Sequence, residues 1–570
     1  MTADKAEREL ARALEKIGFT NNPRIQAAPL GFGNVAVPCF EHAAANKRKP
    51  FDDAKETAEK LAGLKYFGRA EAAGGFVNLY YSDAFYAEAL AEMKAGYGAN
   101  NDGAHATVVV EHSSPNVGKP LHVGHLRCTV YGDALANIIE LNGYKVVRST
   151  FLGEAGKQVA LLLVALEDAK TKPKDERALL SIYEAGNKQL AEEAFAERVT
   201  AKLALMEAGD PETLTELRKV RALSVKPLHA AYERLGVRFD EELFDSDFVD
   251  AAKKLAAEAV AKKVARKDVE GETIVDFTKK TAIAPSSGVA NQQVCNKEEL
   301  PNYVLLRSNG TTLYATRDLA LADYRFARHA FKECVYVTAS AQNLHFQQFF
   351  KTLELLGRAY AKRLKHVGYG LVSLPEGKLS TREGRVILVD DLLERATGAA
   401  AKEVTERQKY PAALVKEIAG KTGLAAVKFA LLRVSPEKNI VFNAEEAVRF
   451  EGHTGAFVQY SAVRCKGILE KAGRVAAFKK GEFNEQEKRL IAKLAVYPQV
   501  VRKACNSLEI HGLCEYLLLL TDEFNSFYAA CPVLKAEGSE KAKRIALVKA
   551  TLLVLEDGLA ALGMETPDKM

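Results

Sequence analysis

An α/β architecture is predicted, with a doubly wound parallel sheet at its centre, a small α+β unit before it and an all-helical section after it. Three observations predict this. From Thr107 onward, apolar β-branched runs alternate with helical stretches; the hundred or so residues before them mix amphipathic helices with a strand; and from roughly Val434 the period is helical with no further strand run. A chain of 570 residues has room for roughly three or four domains. Its 48% hydrophobic and 27% charged residues are those of a globular protein and exclude disordered and fibrous classes.

The first helix is "DKAERELARALEKIGF", closed by a glycine and followed by the glycine-rich link "APLGFGNVAV". A second helix, "FDDAKETAEKLAGL", comes next. "AEAAGGFVNLYYSDAFYAEALAEM" then reads as an aromatic strand and a helix, and "GYGANNDGAHA" as a linker. The central unit starts with the strand "TVVVEHS". A helix over Leu121–Leu141 follows, stopped by Asn142-Gly143, and "YKVVRST" returns as the next strand, which makes one βαβ unit. "ECVYVTAS" and "HVGYGLVSL" are later strands of the same sheet, and a charge-laced helical insertion over about 165–300 separates its two halves. The expected boundaries are 1–104, 105–430 and 431–570.

The net charge of +6 permits a polyanionic partner without demanding one. No apolar run reaches the roughly eighteen residues of a membrane helix. The charged start "MTADKAEREL" is not a signal peptide, and eight cysteines without a C-x-x-C pair suggest reduced thiols in a cytoplasmic protein rather than disulfides or a zinc ribbon.

Chemistry concentrates in "EHSSPNVGKPLHVGHLR". His122 and His125 stand three apart at a predicted helix start, on one face, where free N–H groups and the helix dipole attract anions. Zinc would need more ligands than this pair supplies. Two histidines alone would by default be a helix cap. Asn116, Lys119 and Gly124 at the same turn shift the reading toward an anion site. At Tyr460 and Arg464, four apart, a ring and a guanidinium share a helical face; this suits an unstacked base, and equally a core tyrosine beside a surface arginine.

"HVGH" resembles the HIGH signature of class I aminoacyl-tRNA synthetases, and the longer "SSPNVGKPLHVGHLR" resembles its arginyl-tRNA synthetase form. "EGKLSTREGR" resembles the second signature, the KMSK loop (376–386), with Leu379 for the usual Met and Thr381 in the place of the second lysine. "YATRD" and "AQNLH" resemble the arginyl family's substrate-binding segments. The resemblance covers nearly the whole chain. It implies a Rossmann-type catalytic domain, an N-terminal tRNA-contacting domain and a helical anticodon-binding domain. The activity implied is ATP-dependent formation of arginyl-adenylate, with transfer of the arginyl group to the terminal ribose of tRNA(Arg).

The same resemblance implies roles for individual residues. His122, Gly124 and His125 would bind ATP, with Lys378, Ser380 and Arg382 on the pyrophosphate and His345 on the nucleotide. Lys119, at the first turn, is placed to stand in for the missing lysine. Glu111, Asn116, Tyr314, Asp318 and Gln342 would bind L-arginine; Tyr314 and Asp318 are four apart, and a carboxylate facing a planar guanidinium gives bidentate pairing that lysine cannot match. Asn78 and Tyr81 would touch the tRNA D-loop, and Phe457, Tyr460, Arg464 and Met570 the anticodon. Mg²⁺ is implied with ATP, without a visible protein ligand. No membrane partner and a monomer are expected. Two alternatives stand beside this reading. A cysteinyl enzyme would need zinc-binding cysteines that the scattered thiols do not offer, and an RNA-binding paralogue without activity is left open by Thr381.

Overall fold

The structure is a computed structural model that describes residues 1–19, 24–29, 32–169, 172–277, 300–373, 387–478 and 481–570. Its central sheet has five parallel strands in the spatial order Leu364–Tyr369, Glu333–Ala339, Thr107–Glu111, Lys145–Leu152 and Glu241–Phe244. The chain therefore winds outward in one direction from Thr107–Glu111 and later resumes on its other side. The crevice at the carboxyl ends, where the winding reverses, is where such sheets bind ligands.

Val108, Val109 and Val110 are all buried because helices cover both faces of the sheet, so this strand shows no alternation. The helix Val123–Leu141 is buried nearly all round. It begins with His122 as N-cap and ends at Asn142 before Gly143, whose φ of +79° a side chain would strain.

Three expectations change here. The strand Glu241–Phe244, inside the range expected for the helical insertion, pairs with Ser149–Leu152 as the sheet's edge. Its sequence "EELF" has too few apolar residues to announce a strand, and pairing to a buried neighbour decides it. The single aromatic strand near the N-terminus is a hairpin, Phe67–Ala73 with Phe76–Tyr81. Gly74 and Gly75 turn it with φ of +59° and +96°, as a two-residue hairpin turn requires. A short parallel ladder, Val372–Ser373 with Ile440–Val441, also lies past the point where no strand was expected.

The last section is helical from Gly455–Ala472 through Gly538–Ala561. It packs against the helix Val123–Leu141, where the Tyr131 hydroxyl donates to the Leu508 carbonyl at 2.7 Å. The N-terminal unit docks on it as well: the Tyr97 hydroxyl donates to the Ala495 carbonyl, and Arg502 pairs with Asp4 and Asp102. No helix among the described residues is long and apolar enough to cross a membrane.

Candidate active site

A cavity of about 920 Å³ opens at the carboxyl ends of the strands, at the reversal of the winding. Its walls include Glu111, Ser113, Ser114, Asn116, His122, Gly124 and His125 from one side of the reversal, and Tyr314, Asp318 and Gln342 from the other.

The first wall is a strained turn. Ser113 and Ser114 both have left-handed backbones, with φ of +67° and +46°. The surrounding bonds over-determine them. The Ser113 hydroxyl bonds Tyr232 at 2.8 Å and receives the Thr129 hydroxyl at 2.9 Å, while the Ser114 amide donates to the Thr150 hydroxyl at 3.2 Å. Neither serine was singled out from the sequence, because nothing local signals a left-handed pair. Gly118 lies against Leu162, where a Cβ would come within 2.4 Å of a methyl carbon.

His122 Nδ1 accepts the Gly124 amide at 3.0 Å, which leaves the neutral ring's hydrogen on Nε2. Its ring lies 4.0 Å from that of His125. Burial, with Lys119 nearby, pushes His122 down to about 4; burial, then His122 and Lys119, hold His125 well below the ordinary histidine value. Both are therefore neutral near pH 7, each with one N–H to donate.

The segment expected to form a second phosphate loop, with Lys378, Ser380 and Arg382, lies outside the described residues. Its flanks meet at this cavity: Leu371, Val372 and Ser373 line it from one end and Ile387 from the other. Beyond the loop the chain bonds directly to the first turn, with the Val123 amide donating to the Ile387 carbonyl and the Val389 amide to that of Leu121, both at 3.1 Å.

On the opposite wall the helix Tyr314–His329 starts at Tyr314, so Tyr314 and Asp318 share a face as their spacing predicts. Tyr314 is 59% exposed. Asp318 Oδ2 receives His345 Nε2 at 2.9 Å. Other acids of this cavity are already paired: Glu111 contacts the buried Arg325 guanidinium, and Asp245 accepts Arg317 Nε at 3.1 Å. Asp318 meets no arginine or lysine among the described residues.

Two residues are placed differently from expectation. His345 does not line the cavity; it is 7% exposed, with Nε2 engaged by Asp318 and Nδ1 by the Tyr303 hydroxyl at 3.0 Å. Lys119 does not line the cavity either, although its ammonium reaches a side chain that does. Its ammonium lies 4.1 Å from the Tyr183 ring centroid and donates at 3.3 Å to Gln158, which receives Asn116 Nδ2 as well.

Three family models match in succession: "Arginyl tRNA synthetase N terminal domain" over residues 4–81, "tRNA synthetases class I (R), catalytic domain" over 88–444 and "DALR anticodon binding domain" over 458–570. The chain belongs to the arginyl-tRNA synthetases. Curated relatives include an arginine–tRNA ligase of Clostridium beijerinckii, 36% identical, and one of Clostridioides difficile, 33% identical, each match covering 94% of both chains. Among solved structures, the Thermus thermophilus arginyl-tRNA synthetase superposes with a TM-score of 0.82 at 26% identity over 100% of both chains. The Plasmodium falciparum enzyme, at 18% identity and a TM-score of 0.80 over 100% of this chain and 99% of that one, shares the fold. The enzyme is an ATP-dependent ligase that activates arginine and transfers it to tRNA.

In the anticodon-binding domain of this synthetase, Tyr460 and Arg464 do share a face. The Arg464 guanidinium lies 5.0 Å from the Tyr460 ring centroid and 5.6 Å from that of Tyr528, held by a 2.7 Å bond to Asn525. Phe457, one turn earlier, is half-buried, with its amide capped by the Thr454 hydroxyl. Met570 is not on the surface: it is 6% exposed in an apolar cluster with Phe450 and Ile418, against which Tyr460 packs. Asn78, in a strand paired on both sides, is 5% exposed, and Tyr81 is stacked on Phe85 with centroids 3.6 Å apart. Packing of the small N-terminal core turns Asn78 away from the open surface expected of a D-loop contact and leaves Tyr81 half-buried.

Proposed function

We propose that the cavity divides the adenylation reaction between its two walls. Asp318, Tyr314 and Gln342 hold the arginine guanidinium, while Glu111 and Asn116 bound the amino-acid end. His122 and His125 donate to the ATP phosphates, with Gly124 admitting the nucleotide close to the backbone. The arginine carboxylate attacks the α-phosphorus; a P–O bond forms to it as the bond to pyrophosphate breaks. The ribose hydroxyl of the tRNA then takes the arginyl carbonyl and AMP leaves. The neutral histidines suit this work, since the step calls for positioned donors where charge develops rather than for a nucleophile. Lys378, Ser380 and Arg382 are assigned to the departing pyrophosphate by their motif.

Mg²⁺, if it enters with ATP, would neutralise triphosphate charge. Glu111 and Asp245 are already held by arginines, so the phosphates rather than a protein carboxylate cage would carry it. We further assign Tyr460 and Arg464, with Tyr528 beside them, to stacking and phosphate contact in the anticodon loop, and infer a monomer in the cytoplasm.

The observation that carries the substrate assignment is the lone Asp318 carboxylate among acids that already have arginine partners. Replacing it by Asn removes a charge-assisted bond in a partly desolvated site, worth about 2–3 kcal/mol and hence roughly 30- to 150-fold. ATP–pyrophosphate exchange by Asp318→Asn should show the KM for arginine raised by that factor with the KM for ATP unchanged; an unaltered arginine KM would dispose of the assignment. Lys119→Ala is expected to slow exchange at saturating substrates by at least about tenfold, consistent with loss of a charge near developing phosphate charge. Near-normal turnover would show that Lys119 only braces Gln158.

A further inference from the structure

We propose that His345 and Tyr303 are positioning residues for arginine recognition, a buried relay that fixes the orientation of Asp318. The inference rests on the assignment of Asp318 to the guanidinium and goes beyond it.

The polarity of the chain of bonds follows from chemistry. A carboxylate can only accept, so His345 Nε2 carries a hydrogen and donates to Asp318 Oδ2 across 2.9 Å. In the neutral imidazole Nδ1 is then an acceptor, and the Tyr303 hydroxyl, 3.0 Å away, donates to it. Burial holds the Tyr303 phenol well above its ordinary value, so that hydrogen is retained.

Geometry leaves the ring little freedom. His345 is stacked on Phe349, with centroids 5.8 Å apart and 16° between planes, and meets Phe346 edge-on at 5.0 Å. The Tyr303 end is anchored in the strand Tyr303–Leu306, where Tyr303 pairs with Val275. Asp318 is thus gripped by one oxygen from the protein's interior, which leaves Oδ1 free to meet a guanidinium. The same ring packs edge-on against Tyr314 at 5.1 Å, so one imidazole orients two of the residues assigned to arginine. A nucleotide contact would require the ring to reach the cavity, and it does not line it.

The test is ATP–pyrophosphate exchange by the full chain with tRNA present, varying arginine and ATP separately, alongside thermal melting. His345→Phe keeps an aromatic ring but no donor. It should raise the KM for arginine about tenfold or more, given about 1.5 kcal/mol for a bond to a charged group, with the KM for ATP unchanged. His345→Gln, which can present an amide N–H toward Asp318, should recover most of the loss even if His345→Phe folds poorly. Tyr303→Phe should raise the arginine KM several-fold, and combined with His345→Phe should add nothing, because the relay is already cut. A raised KM for ATP with an unchanged one for arginine overturns the proposal, as do multiplying effects of the two substitutions. Asp318→Asn separates the levels. If it raises the arginine KM and His345→Phe and His345→Gln do not, the relay fails and the site stands; if it changes nothing, the site assignment fails and the relay with it.

Discussion

Replacing Arg127 by Met should destabilise the enzyme by about 3–5 kcal/mol, as removal of one side of a buried charged interaction does. The Arg127 guanidinium is fully buried in the helix that carries the histidine turn. It donates to the carbonyls of Gly370 at 2.8 Å, Lys438 at 2.6 Å, Ser435 at 2.9 Å and, more weakly, Val434 at 3.5 Å. Burial brings its pKa down to about 10, which still leaves it charged at pH 7. No carboxylate balances it among these contacts; carbonyl dipoles do. Methionine fills much of the volume and orphans these acceptors, each costing about 1–3 kcal/mol when left buried and unpaired, less whatever water recovers. Arg127→Lys keeps the charge but not the planar fork, so it should recover only part of the loss. The consequence reaches the active site. Arg127 ties the histidine helix to the segments on either side of the Val372–Ser373 ladder, and the Leu371 amide is fixed by Asn439 at 2.8 Å on the same cavity wall. Urea midpoints and exchange rates should therefore fall together in both variants. A midpoint equal to that of the unaltered enzyme would mean that water or a shift of the loop replaces the clamp.

A steep loss of stability is expected below pH 6.5. His112 is completely buried against Phe239, 4.6 Å between ring centroids, and neither ring nitrogen has a partner among the described residues. Burial, reinforced by Arg148, pushes its pKa down to about 3. Desolvation, with His345 nearby, pushes the half-buried His366 to about 3 as well, and His122 to about 4. The sign follows from which state binds protons. Above about pH 6.5 these histidines are neutral folded and unfolded, and stability is at its full value. As pH falls from there toward 3 to 4, the unfolded chain takes up protons that the folded one refuses, at about 1.4 kcal/mol per pH unit for each histidine. Urea midpoints of the enzyme and of His112→Phe, measured from pH 8 to pH 4, should diverge by the slope of one proton, the variant being flatter. Parallel curves would show that His112 finds a partner when charged.

The histidine turn was legible because it is local. A histidine pair at a strand-to-helix junction must sit at the helix N-terminus, whatever the rest of the chain does, and His122 is the N-cap. Tyr314 and Asp318 were legible for the same reason, since a spacing of four fixes a face once a helix is granted. Elsewhere local signals were too weak or ambiguous. "AAGGF" contains the turn that makes a hairpin, yet two glycines also read as a loop; "EELF" becomes a strand only because a buried neighbour offers it hydrogen bonds.

Side-chain partners across the chain were beyond reach altogether. Arg127 meets carbonyls 243 and 311 residues away, and Arg325 meets Glu111 at a separation of 214. His345 shows what this changes. Its motif placed it by the nucleotide, whereas helix packing turns it into the interior, onto Asp318.

The sequence by itself determined the family, the order of the three domains and the histidine turn, because these depend on short patterns of backbone preference and donor type. Tertiary structure alone decided which acid is left without an arginine partner, which histidines stay neutral and which cation braces a wall. Those properties are set by burial and by charges brought together over hundreds of residues, and an electrostatic environment has no address in a linear chain.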